Sequence, residues 1–317
     1  MQDTNNEMNI EQLCDLWLEY IYDHVKKSTY NHYCRLVRVH IREYFKGRDI
    51  HELTFPEIQK FIQHLKKCGN TRRKCGLAPK SINDILVVLR GMMEFAQLYG
   101  YEDIKIPHIR LLRVPPKPVQ VFREQDYQKL LSYASKDITL SKLGLLICMY
   151  TGIRLGEVCS LKWSDLDFEG QMLSIERTIY RTNRLEGGET PKAKTKVVIA
   201  EPKTWLSHRK IPLSKSLSPI LETISCAYPD NAYVLTGTTR PMEPRTYQYQ
   251  YRKHLEACGI DYINFHCIRH TFATRCVEQG CDIKSLSEML GHASTGVTLQ
   301  KYVFASYEQK KQFVDRL

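Results

Sequence analysis

The sequence predicts a mainly α-helical protein with a small antiparallel β-sheet, divided into two domains. Apolar residues recur every three or four positions through residues 10–100, which indicates amphipathic helices. Four prolines within residues 107–118 then block both helix and central strand. After residue 170 the pattern changes to short alternating and β-branched segments, which are typical of strands. A chain of 317 residues is long enough to bury two separate cores.

The first domain, residues 1–106, is predicted to be a bundle of four helices with one basic surface. Thr54 is the expected N-cap of the third helix, with Pro56 in its first turn, and Ser81 is the expected N-cap of the fourth, which ends near Gly100. The apolar stripes of the four helices are Ile10, Leu13, Leu16, Trp17 and Tyr20; Tyr30, Tyr33, Val37 and Ile41; Phe61, Ile62 and Leu65; and Ile82, Ile85, Leu86, Leu89, Met93 and Ala96.

Residues 107–120 are predicted to be an extended, fairly stiff proline-rich linker, followed by a second domain over residues 121–317. The second domain should open with two helices. Three strands, punctuated by Gly187-Gly188 and Pro202, should then form the antiparallel sheet. Helices return after Tyr247, and their expected boundaries are Gly280, Asp282 as an N-cap, and Gly291. The helices are expected at 125–134 and 141–150, and the strands at 172–177, 196–199 and 209–213.

The charge of the chain favours a polyanionic partner. Lys and Arg number 46 against 35 Asp and Glu, a net charge of +11. Residues 24–80 alone hold 14 basic and four acidic residues, a difference of +10. These residues line a solvated helical face or bind nucleic acid; a membrane surface is disfavoured because no basic amphipathic anchor is found. The candidate DNA-binding residues are Lys26, Lys27, Arg35, Arg38, Arg42, Arg72, Arg73, Lys74 and Lys80.

Several classes of protein are excluded by what the sequence lacks. No apolar run approaches the roughly 18 residues of a membrane span, and the first nine residues do not resemble a signal peptide, so a cytoplasmic protein is expected, associated with the nucleoid when bound to DNA. The 11 cysteines form no C-x-x-C pair and are expected to be reduced thiols. His266 and His270 have the spacing of zinc ligands on a helix, but Arg269 between them would repel a cation. We therefore expect no metal and no cofactor.

Four motifs stand in a fixed order in the second half of the chain. Residues Thr151–Glu157 read T-G-I-R-L-G-E, and Glu201–Leu213 read E-P-K-T-W-L-S-H-R-K-I-P-L. His266–His270 read H-C-I-R-H, and Leu290–His292 read L-G-H, with Tyr302 ten residues beyond His292. Together these motifs resemble the catalytic boxes of the tyrosine recombinase (phage integrase) family. The resemblance covers the catalytic domain, and the N-terminal helical bundle matches the family's core-binding domain.

The resemblance implies a role for each site residue. Tyr302 would be the nucleophile that becomes linked to the DNA 3′ end. Lys203, on a mobile hairpin, would protonate the departing 5′ oxygen, and His266 would be the proton acceptor. His292 would hydrogen-bond the phosphate or share proton handling. No ATP is required, because the phosphotyrosyl bond stores the energy of the broken strand.

The residue types fit that chemistry on physical grounds. Attack on a phosphodiester adds negative charge to the non-bridging oxygens, and guanidinium groups stay charged and bind phosphate through paired hydrogen bonds. Arg154 and Arg269 would form that clamp. Glu157, three residues after Arg154 on a helix, is expected to hold the Arg154 guanidinium; a salt bridge without function is the alternative. A phenol with a pKa near 10 is a poor nucleophile, so Tyr302 needs a base and a positive pocket.

The chain departs from the compact pattern of the family between its first two boxes. Arg154 and Lys203 lie 49 residues apart, and the extra segment 178–196 is predicted to be an extended β-hairpin, as in integrases of mobile elements from Gram-positive bacteria. The hairpin would contact DNA or a neighbouring subunit, or be a solvated loop. Three of its lysines compete with Lys203 for the role of general acid. They are Lys192, Lys194 and Lys196.

The function implied by the resemblance is site-specific DNA recombination, most simply of a mobile element. The expected partners are double-stranded DNA with inverted-repeat core sites, three further copies of the chain in a homo-tetramer, and an accessory DNA-bending or directionality factor. A type IB topoisomerase would use the same chemistry without a partner duplex, but the spacing from L-G-H to Tyr302 favours the recombinase. A DNA-binding protein without chemistry would lack a clamp arginine or the nucleophile, and all three are present.

Overall fold

The computed structural model describes residues 8–71, 73–102, 104–115, 118–183, 195–200, 208–302 and 314–315. The chain divides into two compact units between residues 117 and 118. Each unit has its own buried core of apolar side chains. No helix within the described ranges is long and apolar enough to cross a membrane.

The described part of the first unit contains four longer helical segments, as the apolar stripes predict, and a short 3-10 helix at Ile50–Glu52. The second segment is continuous over residues 27–44 but contains a π-helical turn at Val37–Ile41. Large side chains that are fully buried, such as Phe45 and Phe61, fill the space between the helices. The helices are α1 (Ile10–Tyr22), α2 (Lys27–Leu36), α3 (Arg42–Tyr44), α4 (Phe55–Cys68) and α5 (Pro79–Leu98).

The helix starts of the first unit differ in one place from the prediction. Thr54 is the N-cap of α4, although its side chain makes no capping hydrogen bond. The prediction that Ser81 caps the fourth helix is wrong, because α5 begins two residues earlier at Pro79, with Ala78 as its N-cap. Proline suits the first helical position, since its φ is fixed near the helical value and its missing N–H would have no partner there.

Part of the segment predicted to be a linker packs against the bundle. Ile109 is buried in the first core. The Asn83 side chain donates to the carbonyl of Leu112 at 2.9 Å and accepts from its N–H at 2.8 Å. The residues up to Leu112 are therefore fixed to α5, and the unit boundary falls later, within the predicted linker range of 107–120.

The second unit is mainly helical around a central helix that is buried on nearly every side. This helix, α7 (Leu140–Thr151), contacts the helix before it, the short helix after it and two helices that follow much later in the chain. The other helices are α6 (Glu124–Ala134), α8 (Leu155–Val158), α9 (Ser218–Ser225), α10 (Pro244–Ala257), α11 (His266–Glu278), α12 (Ile283–Leu290) and α13 (Thr295–Tyr302).

The strands of the second unit form two antiparallel sheets rather than one. In the three-stranded sheet, strand 172–175 lies between strands 166–167 and 209–212. Leu173 therefore lies opposite both Leu166 and Ile211, and its side chain enters the core. The prediction that strand 196–199 joins this sheet is wrong. It pairs instead with Thr178–Asn183 as a separate hairpin. The strands are β1 (Leu166–Asp167), β2 (Met172–Ile175), β3 (Thr178–Asn183), β4 (Thr195–Ala200) and β5 (Arg209–Pro212).

Candidate active site

Two helix ends place the two arginines of the predicted clamp. Gly152 ends α7 and Gly291 ends α12, both with a left-handed backbone (φ of 64° and 62°). Arg269 donates to the carbonyl of Gly152 at 3.0 Å, and to that of Leu290 at 2.5 Å. Arg154 donates to the carbonyl of Gly291 at 2.9 Å. Each guanidinium is therefore fixed by carbonyl groups at a helix C-terminus.

The hydrogen bonds between the two guanidinium groups and the helix-end carbonyls stabilise both the arginines and the helix ends. The last carbonyls of a helix have no intrahelical donor and carry the negative end of the helix dipole. Arg269 is 2% exposed, and burial, followed by the charge of Arg154, lowers its pKa to about 9. A buried guanidinium that still carries its charge needs an anion, and a DNA phosphate would supply one.

A buried carboxylate connects Arg154 to a third arginine. Glu157 accepts from the Arg154 guanidinium at 2.8 Å, the contact that the spacing of three predicts, and from the Arg154 backbone N–H at 2.8 Å. Its two oxygens also accept from Arg209 at 3.1 and 2.8 Å. The Arg209 Nε donates to the carbonyl of Met289 at 2.6 Å. One carboxylate therefore ties α8 to β5, and Arg209 ties β5 to the end of α12.

The protonation state of Glu157 follows from these contacts. Burial alone would raise the pKa of this carboxyl, whose side chain is 3% exposed. The hydrogen bonds and charge of Arg209, together with Arg154, outweigh burial and lower its pKa to about 2. Glu157 is therefore ionised at neutral pH, and the charge it shares between two arginines holds both in place.

Tyr302, the predicted nucleophile, lies at the end of α13 with its hydroxyl facing α11. The Nδ1 of His270 is 2.7 Å from the Tyr302 hydroxyl. Burial raises the pKa of Tyr302, while the charges of Arg269 and Arg154 and a hydrogen bond with Arg269 act in the opposite direction. The hydroxyl of Tyr302 is therefore placed beside both the clamp and an imidazole.

The two other histidines of the site surround this pair. The ring of His266 meets that of His270 edge-on, with centroids 4.5 Å apart. His292 lies parallel to the Tyr302 ring, with centroids 6.2 Å apart, and its Nδ1 is 2.8 Å from the Thr298 hydroxyl. Burial, followed by His270 and then Arg269, lowers the pKa of His266 to about 4. Burial, followed by the charges of Arg269 and Arg154, lowers the pKa of His292 to about 3. Both rings are therefore neutral near pH 7.

Some predicted residues lie outside the residues that the structure describes. Lys203, the predicted general acid, is among them, as are its competitors Lys192 and Lys194. The third competitor, Lys196, lies on β4. Among the described residues, no group of three or more His, Cys, Asp or Glu side chains is arranged to hold a metal ion.

The structure describes eight of the nine candidate DNA-binding residues, all in the first unit, and seven of these eight are exposed. Arg42 is half-buried and donates to Asp15 and to the carbonyl of Glu11, so it connects α3 to α1. Arg72 lies outside the described residues. The exposed candidates are Lys26, Lys27, Arg35, Arg38, Arg73, Lys74 and Lys80.

Two residues of the site were not predicted from the sequence. Arg209 was noted only as part of a strand, and His270 only as a rejected zinc ligand. Their neighbours in the motifs gave the available signal, since Arg209 lies in S-H-R-K-I-P-L and His270 directly follows the clamp residue Arg269. With these two, the arrangement can bind a phosphodiester, position a phenol and accept its proton.

Two domain families match parts of this chain. The phage integrase family domain matches residues 120–309, and the N-terminal SAM-like domain of phage integrases matches residues 9–66. The chain belongs to the phage integrase family. It is a tyrosine-type DNA recombinase, as the four motifs predict.

Relatives along most of the chain include integrases of mobile elements. The XerC-like tyrosine recombinase of Caldanaerobacter subterraneus subsp. tengcongensis is 28% identical over 88% of this chain and 75% of its own length. The ICEBs1 integrase of Bacillus subtilis is 24% identical over 92% of this chain and 78% of its own length. The Tn916 transposase of Enterococcus faecalis is 29% identical over 63% of this chain and 51% of its own length. The predicted resemblance to mobile-element integrases of Gram-positive bacteria is confirmed.

Solved structures share the fold. The Tn1549 transposon integrase in complex with transposon right-end DNA matches with a TM-score of 0.73 and 21% identity, over 96% of this chain and 98% of the other. A λ integrase tetramer bound to a Holliday junction matches with a TM-score of 0.65 and 18% identity, over 94% and 78%. The predicted fold class, a helical bundle followed by a recombinase catalytic domain, is confirmed.

Proposed function

We propose that Tyr302 attacks a DNA phosphodiester and forms a 3′-phosphotyrosyl bond, and that reversal of this step on another duplex completes recombination. One observation carries the assignment. Among the tyrosines that the structure describes, Tyr302 is the one whose hydroxyl lies between an imidazole and the Arg154–Arg269 clamp. The two arginines would bind the non-bridging oxygens and stabilise the charge that develops there during attack.

The remaining roles follow from the same geometry and from the family. His292, neutral and parallel to the Tyr302 ring, would donate a hydrogen bond to the phosphate through its Nε2–H while Thr298 donates to its Nδ1. His266 would share in proton handling next to His270. Lys203 would protonate the leaving 5′ oxygen. Glu157 and Arg209 would position Arg154 without contacting the DNA.

We infer that the active form is a homo-tetramer on two duplexes with inverted-repeat core sites, and that it moves a mobile element. Two related proteins support this inference: λ integrase, which forms a tetramer on a Holliday junction, and the Tn1549 integrase, which binds a circular-intermediate DNA. The β3–β4 hairpin would contact DNA or a neighbouring subunit. An accessory DNA-bending or directionality factor would select between integration and excision.

Covalent trapping tests the proposed chemistry. The substrate would be a duplex of the gene's own flanking DNA with a nick a few nucleotides beyond the cleavage site. Cleavage then releases the short fragment that carries the 5′ hydroxyl, and its loss by diffusion prevents rejoining and traps the covalent product. Wild-type protein should give a denaturation-resistant adduct at the 3′ phosphate end created by the break, and Tyr302→Phe should give none. Tyr249→Phe, which changes an exposed tyrosine of the same unit, is the matched control and should behave as wild type. An adduct that persists in Tyr302→Phe would contradict the assignment.

A further inference from the structure

We propose that His270 is a catalytic residue that accepts the proton of Tyr302 during strand cleavage. This inference rests on the proposed function and names the group that activates its nucleophile. The observation is the 2.7 Å separation between the His270 Nδ1 and the Tyr302 hydroxyl, which is hydrogen-bonding distance to the atom that attacks phosphorus. The resemblance had assigned this task to His266, one helical turn earlier.

The fold places His270 opposite the nucleophile through two packed helices. α11 carries Arg269 and His270 at consecutive positions, so one helix supplies both a clamp residue and a proton acceptor. α13 packs on α11 and ends at Tyr302, which is 4% exposed. His266, one turn before His270, contacts the His270 ring edge-on. A geometry this enclosed fixes the hydroxyl instead of leaving it to rotate in solvent.

Burial and the charges around His270 keep its imidazole neutral in the free protein. The groups that face it are His266 and Arg269 on its own helix, and Lys301 and Tyr302 on α13. Burial, followed by the charges of Lys301 and Arg269, lowers the pKa of His270 to about 4. A neutral imidazole whose Nδ1 faces a hydroxyl accepts the hydrogen bond if its own proton is on Nε2. We assign the His270 proton to Nε2, so that the phenol O–H of Tyr302 donates to the lone pair of Nδ1.

The proposed step balances in protons and bonds. The Tyr302 oxygen forms a bond to phosphorus, the bond from phosphorus to the 5′ oxygen breaks, and the phenolic proton passes to the Nδ1 of His270. The 5′ oxygen takes its proton from the general acid. In the free protein Arg269 and Lys301 disfavour an imidazolium at this position. A bound phosphodiester brings a negative charge between the arginines, which raises the proton affinity of His270 when it is needed. Rejoining returns the proton to Tyr302.

Single-turnover cleavage of the nicked duplex separates proton transfer from positioning. His270→Ala removes the acceptor and should lower the cleavage rate roughly 100-fold or more, with DNA binding unchanged. His270→Asn places an amide oxygen near the position of Nδ1, so it can orient Tyr302 without taking its proton, and it should remain nearly as slow. Added imidazole should restore part of the rate of His270→Ala and none of Tyr302→Phe. His254→Gln, a half-buried histidine of α10, should cleave as wild type.

Two results would overturn the role of His270. One is cleavage by His270→Ala within about threefold of wild type, and the other is a wild-type rate in His270→Asn, which would leave His270 as a positioning residue only. A measurement without DNA keeps this test independent of the proposed function. Nitrogen NMR of the histidine side chains should show His270 neutral, with its proton on Nε2 and a Nδ1 signal that changes in Tyr302→Phe. A proton on Nδ1 would contradict the inference, whereas wild-type protein that forms no adduct would contradict the proposed function.

Discussion

Replacing Glu157 with glutamine removes a buried negative charge while keeping the size of the side chain. In the folded protein this carboxylate accepts hydrogen bonds from Arg154 and Arg209, whose guanidinium side chain is 5% exposed. Glutamine offers one oxygen and no charge, so the Arg209 guanidinium is left buried and only partly satisfied. The substitution should therefore destabilise the second unit.

The size of the effect follows from the pKa of Glu157. A carboxyl whose pKa falls from 4.5 to about 2 on folding contributes roughly 3 kcal/mol to the free energy of unfolding at neutral pH. Removal of one partner from a buried ion pair typically costs about 3–5 kcal/mol, which is consistent. Because the folded-state pKa is the lower one, this contribution is complete above about pH 4.5 and is lost as the pH falls towards 2.

Hydrogen exchange across a urea series, measured by mass spectrometry on peptides from α7 and α11, reports the stability of the second unit alone. Glu157→Gln should lower the free energy of unfolding by about 3 kcal/mol at pH 7. Below pH 4.5 the difference in unfolding free energy between this variant and wild type should become smaller. Glu176→Gln is the matched control, because this carboxylate is 48% exposed and its contact with His208 is a surface pair worth at most about 1 kcal/mol. The reasoning would be refuted if Glu157→Gln lowered the free energy of unfolding by less than about 1 kcal/mol at pH 7. It would also be refuted if the difference from wild type did not change with pH.

Two further substitutions test the placement of the clamp and the basic surface. Gly152→Ala should cost about 1–2 kcal/mol for its left-handed backbone and more for its contact, since an added Cβ would lie 2.4 Å from Phe272. Gly259→Ala is the matched control, because Gly259 has nearly the same φ and an added Cβ there would meet no atom within 4 Å. The difference in unfolding free energy between the two variants, measured by urea denaturation, therefore reports the Phe272 contact alone. Equal losses of stability in the two variants would contradict the predicted contact. Arg38→Ala, at an exposed position of the first unit, should reduce the slope of log affinity against log salt by about 1; an unchanged slope would remove Arg38 from the DNA interface.

Local signals in the sequence predicted much of the fold. The helix ends at Gly152 and Gly291 follow from glycine's tolerance of a left-handed backbone, although only the second was predicted as an end. Asp282 was predicted as an N-cap, and its carboxylate accepts from the N–H of Ser285 at 2.8 Å. Signals of this kind depend on residues within one or two turns, which a single sequence displays directly.

Contacts between distant residues were beyond such signals. Strand 196–199 was assigned to the wrong sheet because alternation marks a strand and not its partner. Arg209 was missed because its partner Glu157 lies 52 residues earlier, and nothing local to β5 reveals a buried carboxylate. Likewise Ile109 is one apolar residue in a proline-rich stretch, and its burial depends on a docking surface that the sequence does not display.

The carbonyl acceptors at Gly152, Leu290 and Gly291 have an evolutionary consequence. A side-chain partner can be lost by a single codon change, whereas a main-chain oxygen is present whatever residue occupies the position. Mutation can move these oxygens only by altering the backbone that carries them, including the left-handed torsions of the two glycines, or the packing of its helices. We expect drift in this lineage to change the DNA-facing surfaces freely while the spacing of Arg154 and Arg269 is inherited as a property of the main chain.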